Sequence, residues 1–408
     1  MRRLALGLLL WAIPVLRRAP YGLVAALVLV RFADEWTTFF PAGALEPIRH
    51  DLGLTYAGVA GLLVALPAGG LVGTFFVIAA DYVSRRVLAS LGAATYGLAM
   101  IAFGVGHSLP VLLAAAFVWG AASDAFVHGA EVALVDLADE ALPKMLARMN
   151  AWASVGDLLG PTTLAAAAFL GFGWRGAFLA GGVGMLGYAA WLACHRFPPP
   201  RPPKTRGNPL AGVLRDIRGI ASDREVVLLA VVLGLWGLLD EPLIGFMIAY
   251  FERVQGLSPA LATAPVIAVL VGGIAGFAAF ERLAGARQPR TVIVACAGLT
   301  VATLPVAIFL PFLPLQLAAA FGFGAAGAVL YTSLESVVLA LRPGQAGATG
   351  AVVSTVGMIG MGFPALVGAL ADACGLGAGL ALYAAIPPII LALAAGWRRA
   401  PRPPARAE

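Results

Sequence analysis

The chain has 408 residues, of which 61% are hydrophobic and 12% are charged, and its formal net charge is +6. Soluble globular proteins are about 45–50% apolar and about 25% charged, so this composition argues against a water-soluble enzyme, a disordered chain and a nucleic-acid-binding domain. The basic residues lie in short loops between apolar runs, where they report the orientation of a membrane protein. Cys194, Cys296 and Cys374 lie far apart along the chain, which predicts neither a disulfide framework nor a metal site.

Apolar runs of membrane-spanning length dominate the chain. A helix needs about 20 apolar residues to cross a bilayer, and twelve such runs occur near residues 20–45, 56–79, 87–106, 109–135, 150–172, 176–195, 226–251, 259–282, 291–311, 313–341, 346–371 and 376–397. The stretch Leu4–Leu16 is too short to span and has no small-residue cleavage site after it. We therefore expect residues 1–19 to form a cytoplasmic segment with a short interfacial helix, and not a signal peptide.

The positive charges predict the orientation of these spans. If both termini and every second loop are cytoplasmic, 23 of the 27 Lys and Arg residues lie on that side. Only Arg49, Arg175 and Arg253 lie opposite, and Arg31 falls inside the first span. We therefore expect a multi-pass protein of the bacterial inner (plasma) membrane with both termini in the cytoplasm.

A proline-rich stretch divides the chain in two. Residues 198–203 contain five prolines and one arginine, and such a run is extended and unable to cross a bilayer. We therefore predict an N-terminal six-helix bundle at 20–195, a cytoplasmic Pro/Arg-rich linker at 196–225, a C-terminal six-helix bundle at 226–397, and a cytoplasmic tail at 398–408.

The two halves repeat each other with an offset of just over 200 residues. Glycine precedes glutamate by eleven residues in both span 4 and span 10, as Gly120 and Glu131 and as Gly324 and Glu335. Further matches are Asp34-Glu35 with Asp240-Glu241 and Gly53-Leu54-Thr55 with Gly256-Leu257-Ser258. Two parallel halves around a central axis are the arrangement of major facilitator transporters.

The whole chain resembles a member of the major facilitator superfamily. That family has a loop of the form Gly-x-x-x-Asp-x-x-Gly-Arg-Arg after the second span; here Asp81, Arg85 and Arg86 match, and Val77 and Ser84 replace the glycines. The resemblance implies an all-α integral membrane fold, with twelve transmembrane helices in two pseudo-symmetric six-helix bundles. It also implies that spans 1, 4, 7 and 10 line a central cavity.

The same resemblance implies where a conformational gate lies. Because the family uses the loop motif for switching, Asp81, Arg85 and Arg86 are expected to be gating residues, with anchoring by positive charge as the alternative. Asp157 is expected to contact this gate, with a cavity-facing position as its alternative. The sequence Gly156-x-x-x-Gly160-Pro161 in span 5 is similar to the core of the family's antiporter motif, although Leu164 and Ala165 replace a glycine pair. It predicts a helix kink at Gly160 and Pro161.

Charged side chains inside the spans are the main functional signal. Each costs at least about 2.5–3.5 kcal/mol at mid-bilayer, so it normally faces a cavity or a partner. Most of them lie on spans 1, 4, 7 and 10; the full set is Arg31, Asp34, Glu35, Asp124, Glu131, Asp157, Asp240, Glu241 and Glu335.

Spans 1 and 4 each place three polar side chains on one helix face. Asp124, His128 and Glu131 are spaced by four and three residues, so they share a face on which they can share or pass a proton; the alternative is packing through hydrogen bonds. Arg31 shares a face with Asp34 and Glu35 and is expected to pair with one of them. The other carboxylate would bind a proton or a cation, and a purely structural ion pair is the alternative.

The second half carries the corresponding acids. Asp240 and Glu241 precede Pro242, which can kink span 7 and free a carbonyl group. Glu335 on span 10 mirrors Glu131. We include Asp240, Glu241 and Glu335 among the proton-coupling or substrate-binding candidates.

A surplus of acids in the spans favours cations or protonated amphipaths over organic anions. We therefore predict a monomeric secondary transporter, not an enzyme, that works by alternating access without a cofactor or metal and exchanges protons for cationic or lipophilic small molecules. The alternative is proton- or sodium-coupled uptake of a cationic or polyhydroxylated nutrient. No Gly-x-x-x-x-Gly-Lys-Ser/Thr stretch is present, which argues against ATP-driven transport.

Overall fold

The computed structural model describes residues 21–79, 84–138, 142–197, 222–283, 288–341 and 360–397, together with residues 219, 352, 353 and 355–357. The chain divides into two compact units, Met1–Leu54 with Gly58–Lys204 and Thr55–Ala57 with Thr205–Glu408. The described residues are helical and contain no β-strand. The predicted segment 1–19, most of the linker 196–225 and the tail 398–408 lie outside the described residues.

The described helices of the first half follow one another with short connections. They are α1 Tyr21–Val28, α2 Val30–Thr38, α3 Phe40–Gly43, α4 Leu45–Asp51, α5 Tyr56–Ala79, α6 Arg85–Val105, α7 Leu109–Ala138, α8 Leu142–Phe169 and α9 Gly173–Ala193.

The second half repeats the pattern. Its described helices are α10 Arg224–Gly237, α11 Glu241–Arg253, α12 Pro259–Leu283, α13 Pro289–Phe309, α14 Leu313–Leu341, α15 Phe363–Cys374, α16 Leu376–Ala384 and α17 Ile386–Gly396, with a short 3-10 turn at Gly360–Gly362.

Nine helical segments of the described residues are long and apolar enough to cross a membrane. Three of the twelve predicted spans are not among these nine segments, for the following structural reasons. Residues 21–51 form the four short helices α1–α4, and the apolar described part of α5 is Tyr56–Val72. Residues 150–169 lie in the longer helix α8, which also carries charged residues. The chain is thus an all-helical membrane protein, and the number twelve stays a prediction.

Prolines follow one break in the first span and the break in the seventh span. Pro41 is the second residue of α3, just after the break at Phe39, and Pro242 is the second residue of α11, just after the break at Leu238–Asp240. A proline ring fits the first turn of a helix but removes a hydrogen bond from a continuous one. At these two breaks, a new helix therefore begins where the sequence places a proline.

In each unit, glycines bring one pair of helices into backbone contact in the same way. In the first, a Cβ at Gly69 would overlap the carbonyl of Phe117 and a Cβ at Gly120 would overlap that of Leu66, so α5 and α7 cross with no room for a methyl group. In the second unit, α12 and α14 cross in the same manner; Gly272 faces the carbonyl of Phe321, and Gly324 faces that of Val269. Small residues permit such approaches between membrane helices, and these crossings are the structural form of the sequence repeat.

Arg175 fastens the turn between α8 and α9. Its guanidinium donates to the carboxylate of Asp51 at 2.9 Å and to the carbonyls of Gly104 and Gly106 at 2.9 and 2.6 Å. It also lies 4.4 Å from the centre of the Trp174 ring. One arginine thereby joins the ends of α4, α6 and α9.

Candidate functional site

An ion pair between α2 and α7 forms the centre of the candidate site. Arg31 donates from Nε to Oε1 of Glu131 at 2.9 Å, and its Nη2 lies 2.8 Å from the same oxygen. Glu35, one turn along α2, is farther away, with Oε1 3.8 Å from Arg31 Nη1. The nearest carboxylate oxygen to the Arg31 guanidinium is therefore on α7, one hundred positions away along the chain.

Asp34 has a different environment from Glu131. Asp34 is only 8% exposed, and its Oδ1 accepts a hydrogen bond from Ser123 Oγ at 2.6 Å. Within the described part of the chain, no basic side chain lies within ion-pair distance of the Asp34 carboxylate. The arginine charge is therefore bound by Glu131, and Asp34 is held by a hydroxyl group.

His128 and Asp124 extend the cluster along α7. His128 Nδ1 lies 3.4 Å from Oε2 of Glu131, so the second carboxylate oxygen faces the imidazole. Asp124 is half-buried against α5, where its Oδ2 lies 3.4 Å from the position a Cβ would take at Gly70. The predicted face of α7 thus carries His128 and Glu131 into contact with each other, and it places Asp124 against α5.

The first unit therefore brings together four carboxyl groups, one guanidinium and one imidazole. The guanidinium compensates one carboxylate, so with all acids ionised the cluster carries a negative charge. Such a site attracts cations and disfavours anions. Among the described residues, no group of three or more His, Cys, Asp or Glu side chains is arranged to hold a metal ion.

The acids of the second unit lie in a simpler environment. Asp240 is exposed at the break before α11, Glu241 is the first residue of that helix, and Glu335 is exposed on α14. Three residues before Asp240 stands Gly237, where Arg31 stands three residues before Asp34. The repeat therefore copies the acids but not the arginine.

The predicted gating residues are only partly described. Asp81 lies outside the described residues, Arg85 is buried in the first turn of α6, and Asp157 is half-buried on α8. Arg86 donates through Nη2 to the carbonyl of Ala193, in the last turn of α9. This contact fastens α6 to α9 within the first unit.

Arg290 is the counterpart of Arg86, and it was not singled out by the sequence interpretation. Its Nη2 donates at 2.7 Å to the carbonyl of Ala395, in the last turn of α17. The sequence signal was available, since Arg290 follows Arg86 by the repeat offset and begins α13 as Arg86 begins α6.

The predicted kink positions lie in an unbroken helix. Helix α8 continues through Gly160 and Pro161 to Phe169. A Cβ at Gly160 would meet the Cβ of Phe39 at 2.8 Å, and one at Gly156 would meet the carbonyl of Phe32 at 2.6 Å. Both glycines therefore allow α8 to pack closely against α2.

The sequence interpretation did not identify two further residues of the site, Tyr96 and Thr37. Tyr96 is fully buried on α6, with its hydroxyl 2.6 Å from Thr37 Oγ1 and 3.3 Å from the carbonyl of Asp34. Neither residue is charged, and neither interrupts an apolar run. No sequence pattern therefore distinguished them from ordinary packing residues.

Solved structures with the same fold are membrane transporters. A bacterial homolog of the human lysosomal transporter Spinster, inward-facing and unoccupied, has a TM-score of 0.66 at 17% identity, over 91% of this chain and 93% of that one. A D-xylose–proton symporter has a TM-score of 0.69 at 13% identity, over 94% of this chain and 98% of that one. The nucleoside transporter NupG has a TM-score of 0.72 at 10% identity, over 91% of this chain and 97% of that one. At these identities the likeness shows that the chain shares the fold of these proteins.

The family follows from the sequence. The model of the Major Facilitator Superfamily matches residues 24–365, and the chain belongs to that family. No curated protein sequence matches it.

Proposed function

We propose that this transporter couples proton movement to the efflux of cationic or lipophilic small molecules, and that Asp34 carries the proton. The observation behind this proposal is the division of partners in the first unit. Glu131 holds Arg31 at 2.8 Å, whereas Asp34 is bound by Ser123 at 2.6 Å. A carboxylate without a paired cation gains more from binding a proton than one that is already compensated.

The acid surplus supports a positively charged cargo. A carboxylate can hold a proton or a cation, and exchange of one for the other is antiport in its simplest form. Asp240 and Glu335 add negative charge that can attract a cation. The second unit has Gly237 at the position equivalent to Arg31. Both termini are proposed to lie in the cytoplasm, on the 23-to-3 distribution of basic residues.

The test is dye transport in everted membrane vesicles. Vesicles energised to an acidic interior are expected to take up ethidium, and a protonophore is expected to abolish the uptake. Asp34→Asn is expected to abolish gradient-driven uptake, because an amide cannot exchange a proton. Glu131→Gln is expected to slow uptake but keep its dependence on the gradient.

Asp51→Asn is the matched control, since it makes the same chemical change in the first unit at a carboxylate that binds Arg175, outside the cluster. Gradient-driven uptake by Asp34→Asn equal to that of the wild type would show that Asp34 is not the coupling residue. Wild-type vesicles that move no ethidium would refute the substrate class. Nutrient accumulation by energised whole cells would then support the uptake alternative.

A further inference from the structure

The carboxylate of Asp124 has no hydrogen-bond or ion-pair partner within the described part of the chain. His128, one turn further along α7, faces Glu131 instead, with its Nδ1 3.4 Å from Oε2. The environment of Asp34 is different, since it accepts a hydrogen bond from Ser123 and is only 8% exposed, whereas Asp124 is half-buried. Asp124 is therefore accessible to a larger group than Asp34 is.

Gly70 on α5 lies opposite this carboxylate. A Cβ built at Gly70 would lie 3.4 Å from Oδ2, 3.8 Å from Cγ and 3.9 Å from Oδ1 of Asp124. Outside the neighbouring turns of α5, these three atoms are the nearest to that position. A cationic nitrogen placed there would lie within about 4 Å of both oxygens, which is the separation of an ion pair. Because Gly70 has no side chain, a cation has room to lie against Asp124.

Packing of α5 against α7 does not require glycine at this position. It does require Gly69 and Gly120, because a Cβ at either would overlap a backbone carbonyl oxygen. A methyl group at position 70 would instead contact Asp124 at an ordinary van der Waals distance. The two helices therefore tolerate alanine at position 70, and the property that alanine changes is access to the carboxylate.

The second unit has the same helix crossing without the acid. Gly273 on α12 is the counterpart of Gly70, and a Cβ at Gly273 would lie 4.0 Å from the carbonyl oxygen of Gly324. Ala328 occupies the position equivalent to Asp124, four residues after the glycine of the crossing. A carboxylate facing an unobstructed glycine is therefore an addition of the first unit to a framework that both units share.

We propose that Asp124 binds the protonated amino group of the transported cation, and that Gly70 is the position that admits this group. This inference rests on the proposed function, and it gives two acids different tasks, since Asp34 holds the proton and Asp124 holds the cargo. The Asp124 oxygens can accept charge-assisted hydrogen bonds from N–H groups, which are about twice as strong as neutral ones. A quaternary ammonium group has no N–H group to donate. The substrate class is therefore lipophilic amines in their protonated form, in preference to quaternary ammonium ions.

Equilibrium dialysis of the purified full-length chain tests this assignment without a proton gradient. The probes are 4-phenylbutylamine, which is protonated at about pH 8 as lysine is, and its N,N,N-trimethyl analogue. The wild type is expected to bind the amine about tenfold or more tightly than the analogue, which is the effect of a hydrogen bond to a charged group. Asp124→Asn is expected to weaken amine binding by about tenfold or more and to remove the preference for the amine.

Gly70→Ala is expected to weaken amine binding by a similar factor, because the added methyl group occupies the position of the cation. In the Asp124→Asn background the same change is expected to have no further effect, since both residues act on one contact. Gly273→Ala is the matched control, because it adds a methyl group at the equivalent position, where Ala328 replaces the acid; it is expected to bind both probes as the wild type does. If Gly70→Ala does not fold, the loss of amine preference in Asp124→Asn carries the test.

Three kinds of result would overturn the inference. One is a wild type that shows no saturable amine binding or that binds both probes equally. Another is an amine affinity that Asp124→Asn leaves unchanged. The third is an amine affinity that Gly70→Ala leaves unchanged, or a loss that persists in the Asp124→Asn background or that Gly273→Ala reproduces. Failure of the proposed function is a separate result, because a protein that moves no ethidium in vesicles still gives these binding constants.

Discussion

Replacing Gly120 by alanine tests the crossing of α5 and α7. The added methyl group would overlap the carbonyl oxygen of Leu66 and would lie 2.8 Å from its carbonyl carbon and 3.3 Å from the nitrogen of Gly70. These obstacles are backbone atoms, so the two helices must separate. Overpacking of this kind costs about 1–3 kcal/mol, and a backbone obstacle places this case near the upper end.

Alanine also favours a helix over glycine by about 0.8–1.0 kcal/mol, which partly offsets the clash. Gly187→Ala removes this complication, because a Cβ at Gly187 in α9 meets nothing within 4 Å. The two variants share the gain in helix propensity, so the difference in their unfolding free energies is the packing cost alone, about 3 kcal/mol. For a unit of this size, that corresponds to about 6–12 °C in Tm.

Thermal unfolding of the purified protein in detergent measures this difference. In the second unit, Gly324→Ala is expected to behave as Gly120→Ala does, with Gly298→Ala as its unobstructed control. Equal melting temperatures for Gly120→Ala and Gly187→Ala would refute the argument that backbone contact at the crossing requires glycine.

Two further predictions follow from single hydrogen bonds. Arg86→Gln and Arg290→Gln are each expected to lose about 1 kcal/mol of stability, since each arginine donates to a carbonyl in the last turn of a helix. Thermal unfolding measures this loss, and a loss in only one of the two variants would contradict the equivalence of the contacts. Ser123→Ala is expected to move the pH profile of dye uptake to higher pH by about one unit or more, because the ionised Asp34 loses its hydroxyl donor. An unchanged profile, or one displaced to lower pH, would contradict the role of Ser123 as that donor.

The sequence was sufficient to predict the faces of the helices but not the partners across them. Regular spacing placed Arg31, Asp34 and Glu35 together on one face, and Asp124, His128 and Glu131 on another. Within span 1, the same spacing favoured pairing of Arg31 with a neighbouring acid. The nearest partner is instead Glu131 on α7, one hundred positions away. Contacts of that kind depend on how two helices pack, which no periodicity encodes.

The internal repeat was informative about packing and incomplete about chemistry. Gly120 and Gly324 occupy equivalent crossings, so their shared eleven-residue distance to Glu131 and Glu335 reflects a shared helix geometry. The sequence shows Gly237 at the position equivalent to Arg31, but it does not show that Arg31 binds Glu131, because that contact joins two helices. The buried hydroxyl groups of Tyr96 and Thr37 were also inaccessible to pattern analysis, because tyrosine and threonine fit an apolar span without disturbing it.

The paired contacts of Arg86 and Arg290 also bear on how such a chain can be divided. Each arginine begins a helix and fastens the final helix of its own half, so each half is closed by its own side chains. A cut in the linker would leave both of these contacts intact, because each lies within one unit. Duplication of one ancestral half is accordingly sufficient to produce both contacts, and a difference such as Arg31 in one copy and Gly237 in the other gives the copies different chemistry.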